Sequence, residues 1–355
     1  MIDLSSPLTM RGLHLRNRLV MPPMATEQSA AGTVSDGLIS YYSDKTRGGR
    51  LGLVITEHSY VHPAGKASPG QLSICRDEDI AGLLRLVKAI HANGVPVAAQ
   101  LSHAGAAALT EVTGCETWAP STVLPEAARL AAPYVGRGLR PRLAERFADP
   151  AACAHFADRA FDREALEQLV HDFAEAARCA REAGYDAVEI HSAHGYLLNQ
   201  FYSPLTNDRT DDYGGSAEKR VRIHREIIRA VRAAVGDDYP ILLRLGAVDD
   251  LPGGATIEDA VAVSRLFAQE GVDMLDISGG ITGFNRPAQM KEQGWFAAES
   301  AAVREAGLPV IMAGGIRDAH AADRLLRDGK CDLAAVGRAI LADSDWPARA
   351  FAELR

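Results

Sequence analysis

Residues 187–192 read Ala-Val-Glu-Ile-His-Ser, a short segment in which apolar and polar side chains alternate. Alternation of this kind is typical of a β-strand whose two faces meet different surroundings. Seven further short runs rich in Val, Ile and Leu are spread along the chain, and segments of helical spacing separate most of them. The eight runs cover residues 19–24, 51–59, 95–101, 187–192, 241–246, 274–279, 309–314 and 333–337.

Helix start and stop signals lie between these runs. Asp162 is a favourable N-cap for a helix that ends near Gly184, and Thr256 with Asp259 three residues later resembles a capping box. Repeated strand–helix alternation favours parallel pairing, and eight parallel strands close readily into a barrel with the helices outside. The sequence therefore predicts an α/β protein, a TIM (β/α)8 barrel in which residues 1–355 form a single domain.

The connection after the third strand is about twice as long as the others. It is rich in Pro, Ala and Arg, as in PYVGRGLRPRLAERFADPAA at residues 133–152. Because the loops that follow barrel strands form the active site, residues 106–160 are expected to be an extended loop that caps this site or walls the substrate pocket. A partner surface or a flexible lid is an equally good interpretation of the segment.

Polar side chains from four strands are predicted to point into the barrel. Val188 and Ile190 share the parity that suits the surrounding helices, which leaves Glu189 and His191 inside. A buried arginine is costly unless an anion meets it, so an inward arginine pairs with an inner carboxylate, binds a ligand, or does both. By the same parity rule the other inward polar residues are Gln100, Arg244, Asp276 and Ser278.

Glycines follow the last two strands. Gly314 and Gly315 come after the seventh strand, and Gly337 with Arg338 after the eighth. Glycine lets backbone N–H groups approach an anion closely, and a phosphate site after strands 7 and 8 recurs in such barrels. Two such turns, one of them with an arginine, favour a phosphate site over plain tight turns.

His191, His194 and Tyr196 lie within six positions just after the fourth strand. A His-x-x-His pair can chelate a metal, but a third ligand at suitable spacing is missing, so no metal site is predicted. Imidazoles can instead donate hydrogen bonds to a carbonyl oxygen, and a phenol can deliver a proton nearby. A polar loop whose groups satisfy one another is the alternative.

Composition narrows the classes of partner. The 38 Lys plus Arg and 46 Asp plus Glu give a formal charge of −8, so no nucleic-acid partner is expected. No segment approaches the roughly 18 apolar residues of a membrane span, and the N-terminus lacks a signal-peptide layout. The five cysteines include no C-x-x-C pair, which argues against a zinc or iron–sulfur site. A cytoplasmic protein acting on a small molecule is expected.

Longer motifs around these residues resemble the old yellow enzyme family of FMN-dependent NAD(P)H:flavin oxidoreductases. The similarity extends from Asn17 to about Trp346. The motifs are NRLVMPPM from residue 17, QLSHAG from 100, WAPS from 118, and AGGI with VGR near the end. HSAHGYLLNQFYSPLTNDRTDDYGG at residues 191–215 is the longest, and its length argues against a chance match.

The resemblance implies an FMN bound over the carboxyl mouth of the barrel, with NAD(P)H as hydride donor. By similarity, Gln100 would hydrogen-bond the pyrimidine edge of the flavin, and Arg244 would lie by N1 and stabilise the anionic reduced form. Residues beside the flavin ring would be Pro23, Met24, Ala25 and Ser59, and residues holding the phosphate would be Gly314, Gly315, Gly337 and Arg338.

The resemblance also implies a reaction, the ping-pong reduction of the C=C bond of activated alkenes, meaning α,β-unsaturated carbonyl or nitro compounds. His191 and His194 would bind the carbonyl or nitro oxygen, and Tyr196 would protonate the α-carbon. A flavin-dependent N-demethylase or amine oxidase is one alternative, and a flavin-binding protein with vestigial activity is another. Family members range from monomers to tetramers, so a homo-oligomer is compatible with the resemblance.

The N-terminal motif departs from one branch of the family. Ala25 stands where that branch has a redox-tuning cysteine, and Glu27 stands where it has a substrate-facing tyrosine. The sequence also lacks the cysteines that ligate an iron–sulfur cluster in another branch. These departures leave the flavin potential and the shape of the pocket open.

Overall fold

The computed structural model describes residues 2–126, 128 and 155–355. Within them each barrel strand pairs in parallel with its sequence neighbour, and the last pairs with the first, so the barrel closes. The strands are β1 (Leu19–Met21), β2 (Leu53–Ile55), β3 (Val97–Ser102), β4 (Ala187–Ser192), β5 (Ile241–Gly246), β6 (Met274–Ser278), β7 (Val310–Ala313) and β8 (Leu333–Ala335). Each predicted run overlaps one of these strands, which confirms the TIM barrel.

Helices follow the strands and pack outside them. They are α1 (Asp36–Thr46), α2 (Asp77–His91), α3 (Arg163–Glu182), α4 (Arg222–Val235), α5 (Ile257–Glu270), α6 (Ala297–Val303), α7 (Ala319–Arg327) and α8 (Trp346–Glu353). The predicted caps are confirmed: the Asp162 side chain accepts a hydrogen bond from the N–H of Ala165, and Thr256 and Asp259 form a capping box. Shorter helical segments include Leu197–Tyr202, directly after β4, and Arg338–Ala342, directly after β8.

The barrel interior has an apolar lower layer. The hairpin formed by Leu8–Met10 and Leu13–Leu15 closes the barrel from below, because Leu13 and Leu15 pack into this layer. Val188 and Ile190 belong to the outer core between strands and helices. The predicted parity is therefore confirmed. The apolar side chains inside the barrel are Val20, Leu53, Ile55, Ala98, Ala187, Leu242, Met274, Ile311 and Leu333.

The long connection after β3 is closed at its base. Asp158 accepts hydrogen bonds from both the N–H and the hydroxyl of Thr117, each at 2.7 Å, and Trp118–Ala119 pairs with Arg159–Ala160 as two short parallel strands. Much of the predicted cap at residues 106–160, including the Pro- and Arg-rich stretch, lies outside the described residues. Among the helices that are described, none is long and apolar enough to span a bilayer.

Candidate active site

A polar layer lies above the apolar one, towards the carboxyl ends of the strands. Gln100 Nε2 donates to Glu189 Oε1 at 2.7 Å, and Arg244 Nε lies 3.2 Å from Asp276 Oδ2. All four residues are buried. The predicted ion pair of Arg244 is therefore present, and its partner is Asp276.

This polar layer retains hydrogen-bonding capacity. Within the described part of the chain, Arg244 Nε, both oxygens of Asp276 and Glu189 Oε2 are buried and make no hydrogen bond of good geometry. Buried polar atoms are almost always satisfied in proteins, so unsatisfied ones that border a barrel mouth fit a bound polar group. The donors and acceptors present match the polar edge of an isoalloxazine ring, which carries both carbonyl and N–H groups.

Two carboxyl groups share one cation in this layer. Burial raises the pKa of Asp276 to about 6, although the Arg244 guanidinium acts in the opposite direction. Burial, together with the nearby Asp276, raises the pKa of Glu189 well above its ordinary value. Both shifts act in the same direction and favour the neutral, protonated form of these carboxyl groups.

Three side chains form a cluster of rings at the mouth. The His191 centroid is 5.2 Å from that of His194 and 5.1 Å from that of Tyr196, and all three residues are buried. His194 has a φ of +61° in the turn after β4, and its Nε2 lies 2.8 Å from the hydroxyl of Ser278 on β6. The structure thus brings together the three residues that the sequence predicts as the site of chemistry. Phe284, which is exposed, adds a ring 5.6 Å from His194.

A third histidine was not predicted. His58 lies just beyond the end of β2, and its ring centroid is 5.2 Å from that of Tyr196. Gln71 Nε2 contacts its Nδ1 at 2.6 Å. The polar run Thr-Glu-His-Ser directly after an apolar strand is the signal in the sequence that could have pointed to it.

The glycines after β7 and β8 lie near one indole ring. A Cβ at Gly314 would be 2.8 Å from the backbone nitrogen of Trp295, and one at Gly315 would be 2.5 Å from its ring. The Arg338 guanidinium lies 5.0 Å from the centroid of the same ring, and a Cβ at Gly337 would be 3.2 Å from Met24 Sδ. A side chain at any of these glycines would crowd Trp295 or Met24. Close packing is therefore a second reason for glycine at these positions, besides the predicted phosphate site.

The segment after β1 runs along the mouth. Pro23 and Met24 are half-buried and Ala25 is exposed. Ser59 is buried, and its hydroxyl donates to the carbonyl of Glu57. The exposed Glu27, at a φ of +59°, accepts hydrogen bonds from the Ser68 hydroxyl and the Gly70 N–H, so its carboxylate is tied to that neighbouring loop.

A buried carboxyl group, Glu57, also borders the mouth. Thr26 Oγ1 donates to Glu57 Oε2 at 2.6 Å, and burial, which outweighs this hydrogen bond, raises the pKa of Glu57 to about 7. The folded protein therefore holds the proton more tightly than the unfolded chain does. The resulting stabilisation is complete below the ordinary pKa of 4.5 and is lost as the pH rises through 7.

Glu57→Gln is expected to make the protein more stable at pH 8, by up to about 3 kcal/mol, because the amide never has to lose a proton. The gain should shrink towards zero below pH 4.5. Urea unfolding of the parent protein and of Glu57→Gln at several pH values measures the difference in their free energies of unfolding. A difference in stability that does not vary with pH would contradict the raised pKa.

Comparison with known proteins agrees with this geometry. Residues 3–355 match the model of the NADH:flavin oxidoreductase / NADH oxidase family. An NADH oxidase of Thermoanaerobacter brockii is 37% identical over 346 residues, which are 95% of this chain and 49% of that protein. An NADPH dehydrogenase of Geobacillus thermodenitrificans is 35% identical over 355 residues, 99% of this chain and 94% of that one. The chain thus spans about half of the first relative and nearly all of the second.

Solved structures show the same architecture. A morphinone reductase in complex with tetrahydroNAD superposes with a TM-score of 0.79 at 25% identity, covering 100% of this chain and 92% of that one. An old yellow enzyme homologue from Zymomonas mobilis, 23% identical, shares the fold with a TM-score of 0.79 over 99% of this chain and 93% of that one. The chain therefore belongs to the NADH:flavin oxidoreductase / NADH oxidase family, the FMN-dependent NAD(P)H oxidoreductases of the old yellow enzyme type.

Proposed function

We propose that the protein uses NADH or NADPH to reduce the C=C bond of activated alkenes, α,β-unsaturated carbonyl or nitro compounds. The observation that carries the proposal is the ring cluster at the barrel mouth. Two imidazoles and a phenol converge there, with ring centroids about 5 Å apart, from a segment that spans only six residues. The cluster supplies donors for an oxygen and a proton for a neighbouring carbon.

The histidines bind the substrate in this proposal. His191 and His194 donate hydrogen bonds to its carbonyl or nitro oxygen, which gains negative charge as the alkene is reduced. Each donor aimed at such an oxygen in a site shielded from water contributes about 3 kcal/mol to the transition state. Ser278 contacts His194 Nε2 and fixes the orientation of that ring. Tyr196, buried against His191, delivers a proton to the α-carbon.

FMN bound at this mouth would supply the hydride-transfer chemistry that links NAD(P)H to the β-carbon of the alkene. Gln100 and Arg244 would bind its polar edge, because they belong to the buried layer whose hydrogen-bonding capacity is unused. The remaining contacts are proposed from the family resemblance. They involve Pro23, Met24, Ala25 and Ser59 beside the ring, and Gly314, Gly315, Gly337 and Arg338 at the phosphate.

A paired assay tests the proposal. Purified protein is expected to reduce 2-cyclohexenone with NADH or NADPH and to leave methylated amines unchanged. In anaerobic stopped flow, one of the two nicotinamides should bleach the yellow protein, and the enone should restore the colour. Turnover of methylated amines without enone reduction would favour an amine oxidase instead. Failure of both nicotinamides to bleach the protein would leave only a flavin-binding role.

We propose that residues 1–355 act as one FMN-binding barrel, with residues 106–160 as an extended loop or cap within it. A cytoplasmic location and a homo-oligomer belong to the same proposal. No nucleic-acid partner enters it, and no metal is needed. Among the residues whose positions are described, no group of three or more His, Cys, Asp or Glu could hold one.

A further inference from the structure

His58 lies beside Tyr196, the proposed proton donor. Its Nε2 lies 3.5 Å from the hydroxyl oxygen of Tyr196, and its ring centroid is 6.3 Å from that of His191. Both His58 and Tyr196 are buried. A polar contact shielded from water is stronger than the same contact at the surface, so the direction of this hydrogen bond matters for the phenol.

Gln71 determines which nitrogen of His58 carries the proton. The backbone N–H of Ala67 contacts Gln71 Oε1 at 2.6 Å, and an N–H can donate only to the oxygen end of the amide. Gln71 Nε2 is thereby the end that faces His58, where it donates to the backbone carbonyl and lies 2.6 Å from Nδ1. Nδ1 must accept this hydrogen bond. The proton of the neutral imidazole is consequently on Nε2, the nitrogen that faces Tyr196.

This tautomer makes Tyr196 the acceptor of the contact. The phenol therefore does not donate to His58, and its own proton is left for another acceptor. The distance of 3.5 Å is long for a hydrogen bond. Such contacts often shorten when substrate closes the site.

We infer, on the basis of the proposed reduction of alkenes, that His58 is a positioning residue. Its Nε2–H directs the hydroxyl proton of Tyr196 towards the substrate and stabilises the phenolate that forms when this proton is transferred. In the step itself, the O–H bond of Tyr196 breaks and a C–H bond forms at the α-carbon. The electron pair of the O–H bond stays on the phenolate oxygen, which the N–H of His58 continues to contact. Solvent water returns the proton once the product has left.

His58 is not the source of the transferred proton. Loss of its Nε2 proton would leave an imidazolate, a far stronger base than phenolate. A doubly protonated ring would place its Nδ1–H against the NH₂ of Gln71, donor against donor. The titratable rings of His58 and His191 both face Tyr196. The Gln71 amide fixes the direction of the contact between His58 and Tyr196.

Substitution of His58 tests this role in the holoenzyme. His58→Phe should slow the oxidation of reduced enzyme by 2-cyclohexenone about 10- to 100-fold, the effect of one hydrogen bond to a charged group, while the bleaching by NAD(P)H changes little. His58→Gln, which keeps an N–H donor, should restore most of the lost rate. His62→Phe, the same change four positions away, is the matched control and should leave both half-reactions unchanged. An equal loss in both half-reactions of His58→Phe would overturn the assignment.

Two further measurements separate this role from a general structural one. In the Tyr196→Phe background, His58→Phe should cause no additional loss, since the phenolate it stabilises no longer forms. In protein labelled with ¹³Cζ-tyrosine, the resonance that Tyr196→Phe removes should report ionisation at a pH about one unit higher in His58→Phe. This readout does not require alkene turnover. If neither the parent nor any variant reduces the enone but the ionisation of Tyr196 shifts in His58→Phe, the proposed function is wrong and the hydrogen bond from His58 to Tyr196 is supported. An unshifted resonance overturns the inference.

Discussion

Tyr196→Phe is expected to slow the reduction of 2-cyclohexenone by about 100- to 10,000-fold, the usual contribution of a general acid. The hydroxyl is the only group that the change removes, and the buried ring remains packed against those of His191 and His58. Hydride transfer from NAD(P)H needs no proton from the phenol, so the reductive half-reaction should keep its rate. Anaerobic stopped flow measures the two half-reactions separately.

Tyr202→Phe is the matched control for this substitution. Tyr202 is buried six positions further on, and its hydroxyl donates to the backbone carbonyl of Ala247 at 3.2 Å. Its loss should lower stability without altering the ratio of the two half-reactions. Equal slowing of both half-reactions by Tyr196→Phe would assign the phenol a role in flavin or nicotinamide binding rather than in proton delivery.

The barrel could be predicted from the sequence because strand position and side-chain direction are coupled. In a barrel strand a side chain faces either the interior or the helices, so the apolar Val188 and Ile190 place Glu189 and His191 inside once the barrel is predicted. The same reasoning placed Gln100 and Arg244. All the residues of this polar layer lie within strands, where the alternation of side-chain direction makes their positions predictable.

Residues outside the strands were harder to predict. His58 follows Ile55, the last residue of β2, and the alternation of a strand no longer applies there. The run at 51–59 predicts a single strand, and this prediction conceals Glu57 and His58 because the strand ends at Ile55. Trp295 lies in the long loop after β6, and its proximity to Gly315 and Arg338 arises from tertiary packing. No spacing in the sequence encodes such a contact.

Arg244→Met is expected to weaken FMN binding by about 10- to 100-fold, so that much of the flavin separates from the protein on gel filtration. The estimate corresponds to the loss of one or two hydrogen bonds from a charged donor. Methionine fills the space of the side chain stem but offers no cation, and the reduced flavin would lose the positive charge proposed to stabilise it. Flavin absorbance per mole of protein measures the retention, and the midpoint potential should fall in the fraction that stays loaded.

The carboxyl groups left behind in Arg244→Met have a separate effect on stability. The pKa of Asp276 is already raised to about 6 by burial with the arginine present, and loss of the cation raises it further. A carboxyl group whose pKa is raised by folding stabilises the protein fully at pH values below its pKa in the unfolded chain, and this stabilisation is lost as the pH rises. The variant should therefore become progressively less stable than the parent above pH 6.

Arg220→Met distinguishes loss of flavin affinity from loss of structure. Arg220 is buried like Arg244, but it donates to the carbonyls of Tyr202 and Gly215 and pairs with Asp259 rather than with the polar layer. Its loss should destabilise the fold and spare the flavin content. If Arg244→Met retains as much FMN as Arg220→Met, the unused hydrogen-bonding capacity of the polar layer serves the barrel alone, and the flavin must be held from the loops above it.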